Sequence, residues 1–117
     1  MAMDIRIVKD GFTLDEIRVV GKEFYSIMIK GVVDINREVV AFGGEYHMDS
    51  NVILVDDGSK QSDVWGFNLY FDKPQGERIE YISLINIRPA DNNFDMEVQD
   101  DKVRKEIQRI VNAKIKS

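Results

Sequence analysis

The apolar residues of this chain change their period between Phe24 and Ile27, and that change limits the folds open to it. Before it, Leu14, Ile17, Val20 and Phe24 recur at three- and four-residue steps, the spacing of one helix face. After it, Ile27, Ile29, Val33 and Ile35 fall on one side of an alternating pattern, as in a strand. The helical step returns at the end, in Val103, Ile107, Ile110, Val111 and Ile115. Each helix needs an apolar surface to cover its stripe, and the middle of the chain supplies one as a sheet. The expected fold is α+β: a single, mostly antiparallel sheet of five or six strands with two helices packed on one of its faces. At 117 residues the chain is expected to be one domain, 1–117, because two independent cores need more chain than this.

Local signals place the elements. "DIRIV" alternates through Ile5 and Ile7 and reads as a first strand. Thr13 and Glu16 have the spacing of a capping box, so a helix is expected to start at Leu14, with Gly21 weakening its last turns. Ile27 to Asp49 reads as a hairpin turning at "INRE", so that "VVAFGGEYHMD" becomes its second strand. "NVILV" is a short strand candidate ended by "DDGS", and "VWGFNLYF" a longer one. Without lysine or proline to blunt an edge, "VWGFNLYF" is expected either inside the sheet or in a symmetric dimer. "RIEYISLINI" carries apolar residues on both faces and reads as a strand in the middle of the sheet, ended by Pro89.

Composition removes whole classes of function. Cysteine is absent, so thiol catalysis, thiolate zinc and iron–sulfur ligation are excluded, and a reducing, cytoplasmic setting is expected. The net charge of −5 argues against nucleic acid as partner, since phosphate binding draws on clustered Lys and Arg. No apolar run approaches the roughly 20 residues a membrane helix needs, and "MAMDIRIVKD" is too charged for a signal peptide, so no membrane partner is expected. Met1 and Ala2 precede a second methionine, Met3, and are set aside from the fold. Asp91 to Asp101 carries five acids and no base, and the following stretch to Ser117 six bases against Glu106; the pattern suits a helix with acids at its positive end.

Candidate chemistry gathers in "GGEYHMDSN", which holds the single histidine. On a regular strand Glu45, His47 and Asp49 would share a face at steps of about 6.5 to 7 Å. Three ligands so spaced do not converge on one ion at about 2.0 to 2.2 Å without a bend, so neither a metal nor any other cofactor is expected. "DNNFDMEVQDDK" has acids at odd positions of a calcium loop, but Met96 replaces the turn glycine and Lys102 the closing glutamate. Asn68 and Asn86 are carboxamides within apolar strands and must find partners or a ligand. Arg88 is a candidate for binding a carboxylate or phosphate, and Trp65 either core or a stacking platform. Two functions fit: a ligand-binding or interaction module that self-associates, or a small enzyme. In the enzyme His47 would be the acid or base, Glu45 or Asp49 its orienting partner, and Arg88 the clamp on a small anionic substrate.

Three segments carry a resemblance. "VVDINREVVAFGGEYHMD", "VDDGSKQSDVWGFNLY" and "SLINIRP" resemble the GGExHxD, DGSxQxDxWGxN and SLINIRP segments of a family of small bacterial and archaeal proteins known as a domain of unknown function. The resemblance runs from the first strand to the last helix and implies no activity, cofactor or catalytic residue. Asn51 stands where that family leads one to expect a further acid, which counts against a site built from several carboxylates.

Overall fold

The computed structural model describes residues 5–22 and 24–116; Met1, Ala2, Met3 and the Asp4 that opens the expected first strand lie outside them. Its main sheet has five strands in the order β1 (Ile5–Val8), β4 (Val39–Gly43), β3 (Met28–Asp34), β5 (Val64–Tyr70) and β6 (Ile79–Glu80), every neighbouring pair antiparallel. Two short strands, β2 (Phe12–Thr13) and β7 (Ile115–Lys116), form a separate parallel pair. The helices are α1 (Leu14–Gly21), α2 (His47–Asp56) and α3 (Asp101–Lys114). The α+β class, the five-stranded antiparallel sheet and the interior place of "VWGFNLYF" follow the sequence expectation; the number and placement of helices do not.

Among the described residues three α-helices stand where two were expected, and they cover both faces of the sheet. Ile29 and Val33 of β3, Val40 and Phe42 of β4, and Trp65, Phe67 and Leu69 of β5 share one core cluster with Ile17 of α1 and Ile107, Ile110 and Val111 of α3. The intervening positions, Val32, Val39, Ala41 and Val64, pack with Leu54 of α2 and with Ile85. Alternation along each strand therefore feeds two cores, one on each face.

Capping sets the helix starts. Thr13 Oγ1 accepts the Glu16 amide at 3.1 Å and Glu16 Oε1 accepts the Thr13 amide at 2.9 Å, the reciprocal pair read from the sequence. Asp100 Oδ1 accepts the Lys102 amide at 2.8 Å and opens α3. Gly21 is less a weak point than a spacer: a Cβ there would lie 2.9 Å from the Ile29 side chain, so α1 closes on β3 only because the position is bare. The helix ends there, which leaves Phe24 outside it.

Three expected strands are corrected. The hairpin β3–β4 turns at 35–38, where Asp34 Oδ1 accepts the amides of Asn36 and Arg37, but β4 stops at Gly43. Gly43 and Gly44 have φ of 121° and 85°, a conformation other residues avoid, and the chain swings into α2. "NVILV" is thus helix. Its β-branched residues favour strands, but Asp49 Oδ2 holds the Tyr46 amide at 2.9 Å and starts the helix, and Gly58 at φ 117° follows its end. "RIEYISLINI" keeps only β6, at the sheet edge. Beyond it the chain pairs with 96–98 instead, Ser83 N donating to Met96 O at 3.0 Å and Val98 N to Tyr81 O at 2.9 Å.

Candidate functional site

On the α2 side of the sheet the register sets Lys30 of β3, Asn68 of β5 and Glu80 of β6 in one cross-strand row. The carboxylate of Glu80 only accepts, so Asn68 presents its NH2 to it, Nδ2 donating to Glu80 Oε1 at 2.8 Å. Asn68 Oδ1 then faces away and must accept. His47, the first residue of α2, lies above it: Nε2 is 2.9 Å from Asn68 Oδ1 and 3.0 Å from Phe67 O. Two acceptors at one ring nitrogen require that Nε2 carry the proton, so the neutral ring holds its lone pair on Nδ1. Among the described residues Nδ1 has no hydrogen-bond partner, and the fully buried side-chain atoms without one are Asp34 Oδ2, Arg78 Nε and Asn112 Oδ1. The lone pair of His47 therefore reaches solvent.

Only 8% of His47 is exposed. Burial lowers its pKa from 6.5 to about 4; the bond to Phe67 opposes this and the Lys30 ammonium adds to it. Lys30 itself makes no ion pair among the described residues. Its Nζ lies 5.3 Å from the Tyr25 ring centroid and 5.5 Å from that of Tyr46.

These groups border a cleft of about 420 Å³ between the start of α2 and the segment after β6. Its polar lining is Lys30, His47, Asn68 and Ser83; the rest is Tyr46, Met48, Ile82, Leu84, Ile85 and Met96. The volume lies in the range of small-molecule sites, about 300 to 1,000 Å³, and an apolar wall with a few convergent polar groups is their usual make-up. Gly66 lets the far wall approach, since a Cβ on it would lie 2.5 Å from the Ser83 Cβ.

The other sequence candidates are not gathered at this cleft. Asp49 caps α2, and Glu45 is exposed, its carbonyl accepting from Tyr25 Oη at 2.7 Å. Neither carboxylate bonds to His47, because the strand that would have aligned them ends at Gly43. Among the described residues no three His, Asp or Glu side chains gather as a metal would need. Asn86 is fully buried and matches the main chain of β5: Oδ1 accepts from Gly66 N at 2.8 Å, and Nδ2 donates to Gly66 O at 3.0 Å and to Met96 O at 3.2 Å. Arg88 donates to the carbonyls of Ser62 and Val64, with its guanidinium 4.0 Å from the Trp65 ring centroid. Trp65 itself belongs to the core on the opposite face. Asn51 pairs both ways with Gln61, at 2.7 and 2.9 Å, and fastens α2 to the turn before β5.

Sequence reasoning missed Lys30, Glu80 and Ser83. The signal for Lys30 was present: a lone cation inside "IMIKGVV", an otherwise apolar strand, must face something that accepts it. Glu80 and Ser83 gave no such signal, because their importance depends on register and on the chain leaving the sheet after β6.

No helix is long and apolar enough to cross a membrane among the described residues. No curated protein and no solved structure matches the chain. The family described as "Protein of unknown function (DUF5674)" matches residues 6–114, nearly the whole chain, and the protein belongs to that family.

Proposed function

We propose that this protein binds a small molecule in the cleft beside His47. The observation that carries the reading is the imidazole: its proton is held by Phe67 O and Asn68 Oδ1, while Nδ1, which has no hydrogen-bond partner among the described residues, keeps its lone pair at the rim of an apolar cavity. The ring proton is spent inside the protein, so the polar atom that His47 turns to the cleft is an acceptor, and a molecule that displaces water there gains affinity by bringing a donor to it. Binding is favoured over acid–base catalysis because a base with a pKa of about 4 is weak at neutral pH and no carboxylate among the described residues orients it. A cysteine-free chain suits the reducing cytoplasm, where we place it.

The chain's single histidine gives a single Cε1–H ring signal in a carbon–proton correlation spectrum. Titration with small aryl carboxylates, alcohols and amines to about millimolar concentration, the range of weak fragment binding, is expected to move that signal for at least one class. A signal unmoved by every class would rule the cleft out as a binding site.

A specific observation also favours self-association. Helix α2 buries Leu54 yet exposes Met48 and Val52, and Leu84 beside Met48 is 69% exposed. A helix apolar on both sides is one that a second surface covers, and a two-fold homodimer is the simplest arrangement. Sedimentation at micromolar concentration is expected to give twice 13.5 kDa, reverting to the single-chain mass in Val52→Glu. A monomer in the unaltered protein contradicts it.

A further inference from the structure

The polar groups of the cleft differ in kind, and the difference specifies the ligand more closely than shape does. His47 Nδ1 can only accept, so a bound molecule must offer it an O–H or N–H. Lys30 can only donate, and no described carboxylate pairs with it, so the molecule must also offer an anionic oxygen. The two demands fall close together. Lys30 is the register partner of Asn68 on the adjacent strand, and Asn68 Oδ1 touches the His47 ring at 2.9 Å. Cross-strand partners of this kind have Cβ atoms about 4.5 to 5.5 Å apart, and Lys30, Asn68 and His47 line the same cleft, so the ligand's donor and anion belong to its polar side, opposite the apolar walls. The walls beyond are Ile82, Leu84, Ile85 and Met96, which suit an alkyl or aryl body.

We infer that the cleft takes an apolar 2-hydroxy acid, its carboxylate on Lys30, its hydroxyl donating to His47 Nδ1 and its hydrocarbon part against Ile82, Leu84, Ile85 and Met96; this rests on the binding role proposed above. An α-amino acid fits less well. Its ammonium could reach the histidine only beside the Lys30 cation, and Glu80, the nearest anion of the row, does not line the cavity and has Oε1 engaged by Asn68 and Tyr70. A plain carboxylic acid satisfies Lys30 but leaves Nδ1 stripped of water and unpaired.

Four probes of one size separate these terms: 3-phenyllactate, 3-phenylpropionate, phenylalanine and 3-phenylpropane-1,2-diol, each titrated while following the His47 ring signal. Phenyllactate is expected to bind about tenfold more tightly than each of the others, the usual worth of one well-placed polar contact out of water. Lys30→Met, whose lost ammonium makes no hydrogen bond among the described residues, is expected to bring phenyllactate down to the affinity of the diol. If phenylpropionate or phenylalanine equals phenyllactate, or the Lys30 variant keeps the preference, the 2-hydroxy acid is wrong while the binding cleft stands. If no probe moves the ring signal, both fall.

Discussion

Replacing Asn86 with alanine is expected to destabilise the protein by about 4 kcal/mol, a large share of the 5 to 15 kcal/mol typical of a domain. The side chain is fully buried, and its carboxamide completes the hydrogen bonding of Gly66, taking the amide and giving to the carbonyl, while a second N–H reaches Met96 O. Alanine leaves the Gly66 amide and carbonyl without their partner where water does not reach, at about 1 to 3 kcal/mol each, while Met96 O keeps the Ser83 amide. The loss also frees the segment after β6 that forms the far wall of the cleft, so ligand binding falls with stability. Asn86→Asp is expected to do at least as much harm, since its second oxygen would face two carbonyls and its charge would be buried. Urea melts measure both; a loss below about 1 kcal/mol for the alanine variant would mean that the segment is held by something else.

The second large effect is a dependence of stability on pH that belongs to His47 alone. Its pKa of about 4 in the folded protein lies below the ordinary 6.5, so the unfolded chain takes up a proton that the folded one refuses. The sign follows: this histidine costs nothing above about pH 7, and as pH falls from 6.5 towards 4 the fold is progressively disfavoured, the loss levelling off below 4. The full difference corresponds to about 3 kcal/mol. His47→Gln retains an N–H for Phe67 O and Asn68 Oδ1 but does not titrate. The gap between wild type and His47→Gln in denaturant melts is therefore expected to shift by about 2 to 3 kcal/mol in favour of the variant between pH 7 and pH 4. A constant gap would place the ring in water. A shift of opposite sign would indicate pairing with an acid, the arrangement that Glu45 or Asp49 would have supplied on a strand.

Much of the fold was legible because its signals are local. The capping box at Thr13 and Glu16, the alternation through β3 and β5, and the apolar stripe of α3 each arise within one element and need nothing from the rest. The site was legible only in outline. His47 and Asn68 could be singled out by type, a lone imidazole and a carboxamide in an apolar strand, but their contact joins a helix to a strand 21 residues away. The spacing of Glu45, His47 and Asp49 misled because it has meaning only on an extended chain, and the glycines at 43 and 44 end the strand just before it. Asn86 was read as a carboxamide that must find partners or a ligand and Arg88 as a candidate for an anion; both give their hydrogen bonds to the protein's own main chain. Whether the partner is a ligand or the protein's own main chain depends on where the segment after β6 folds back, and no nearby residue encodes that.

The proposed binding site depends on which nitrogen of His47 carries the proton, and nitrogen-15 spectroscopy of the imidazole answers this directly, since the chain has one histidine and hence one ring to observe. At pH 7 the spectrum is expected to show a protonated Nε2 and a bare Nδ1, with no second proton taken up until the pH approaches about 4. A proton on Nδ1, or a ring that titrates at its ordinary 6.5, would contradict the open lone pair on which the proposed binding site depends.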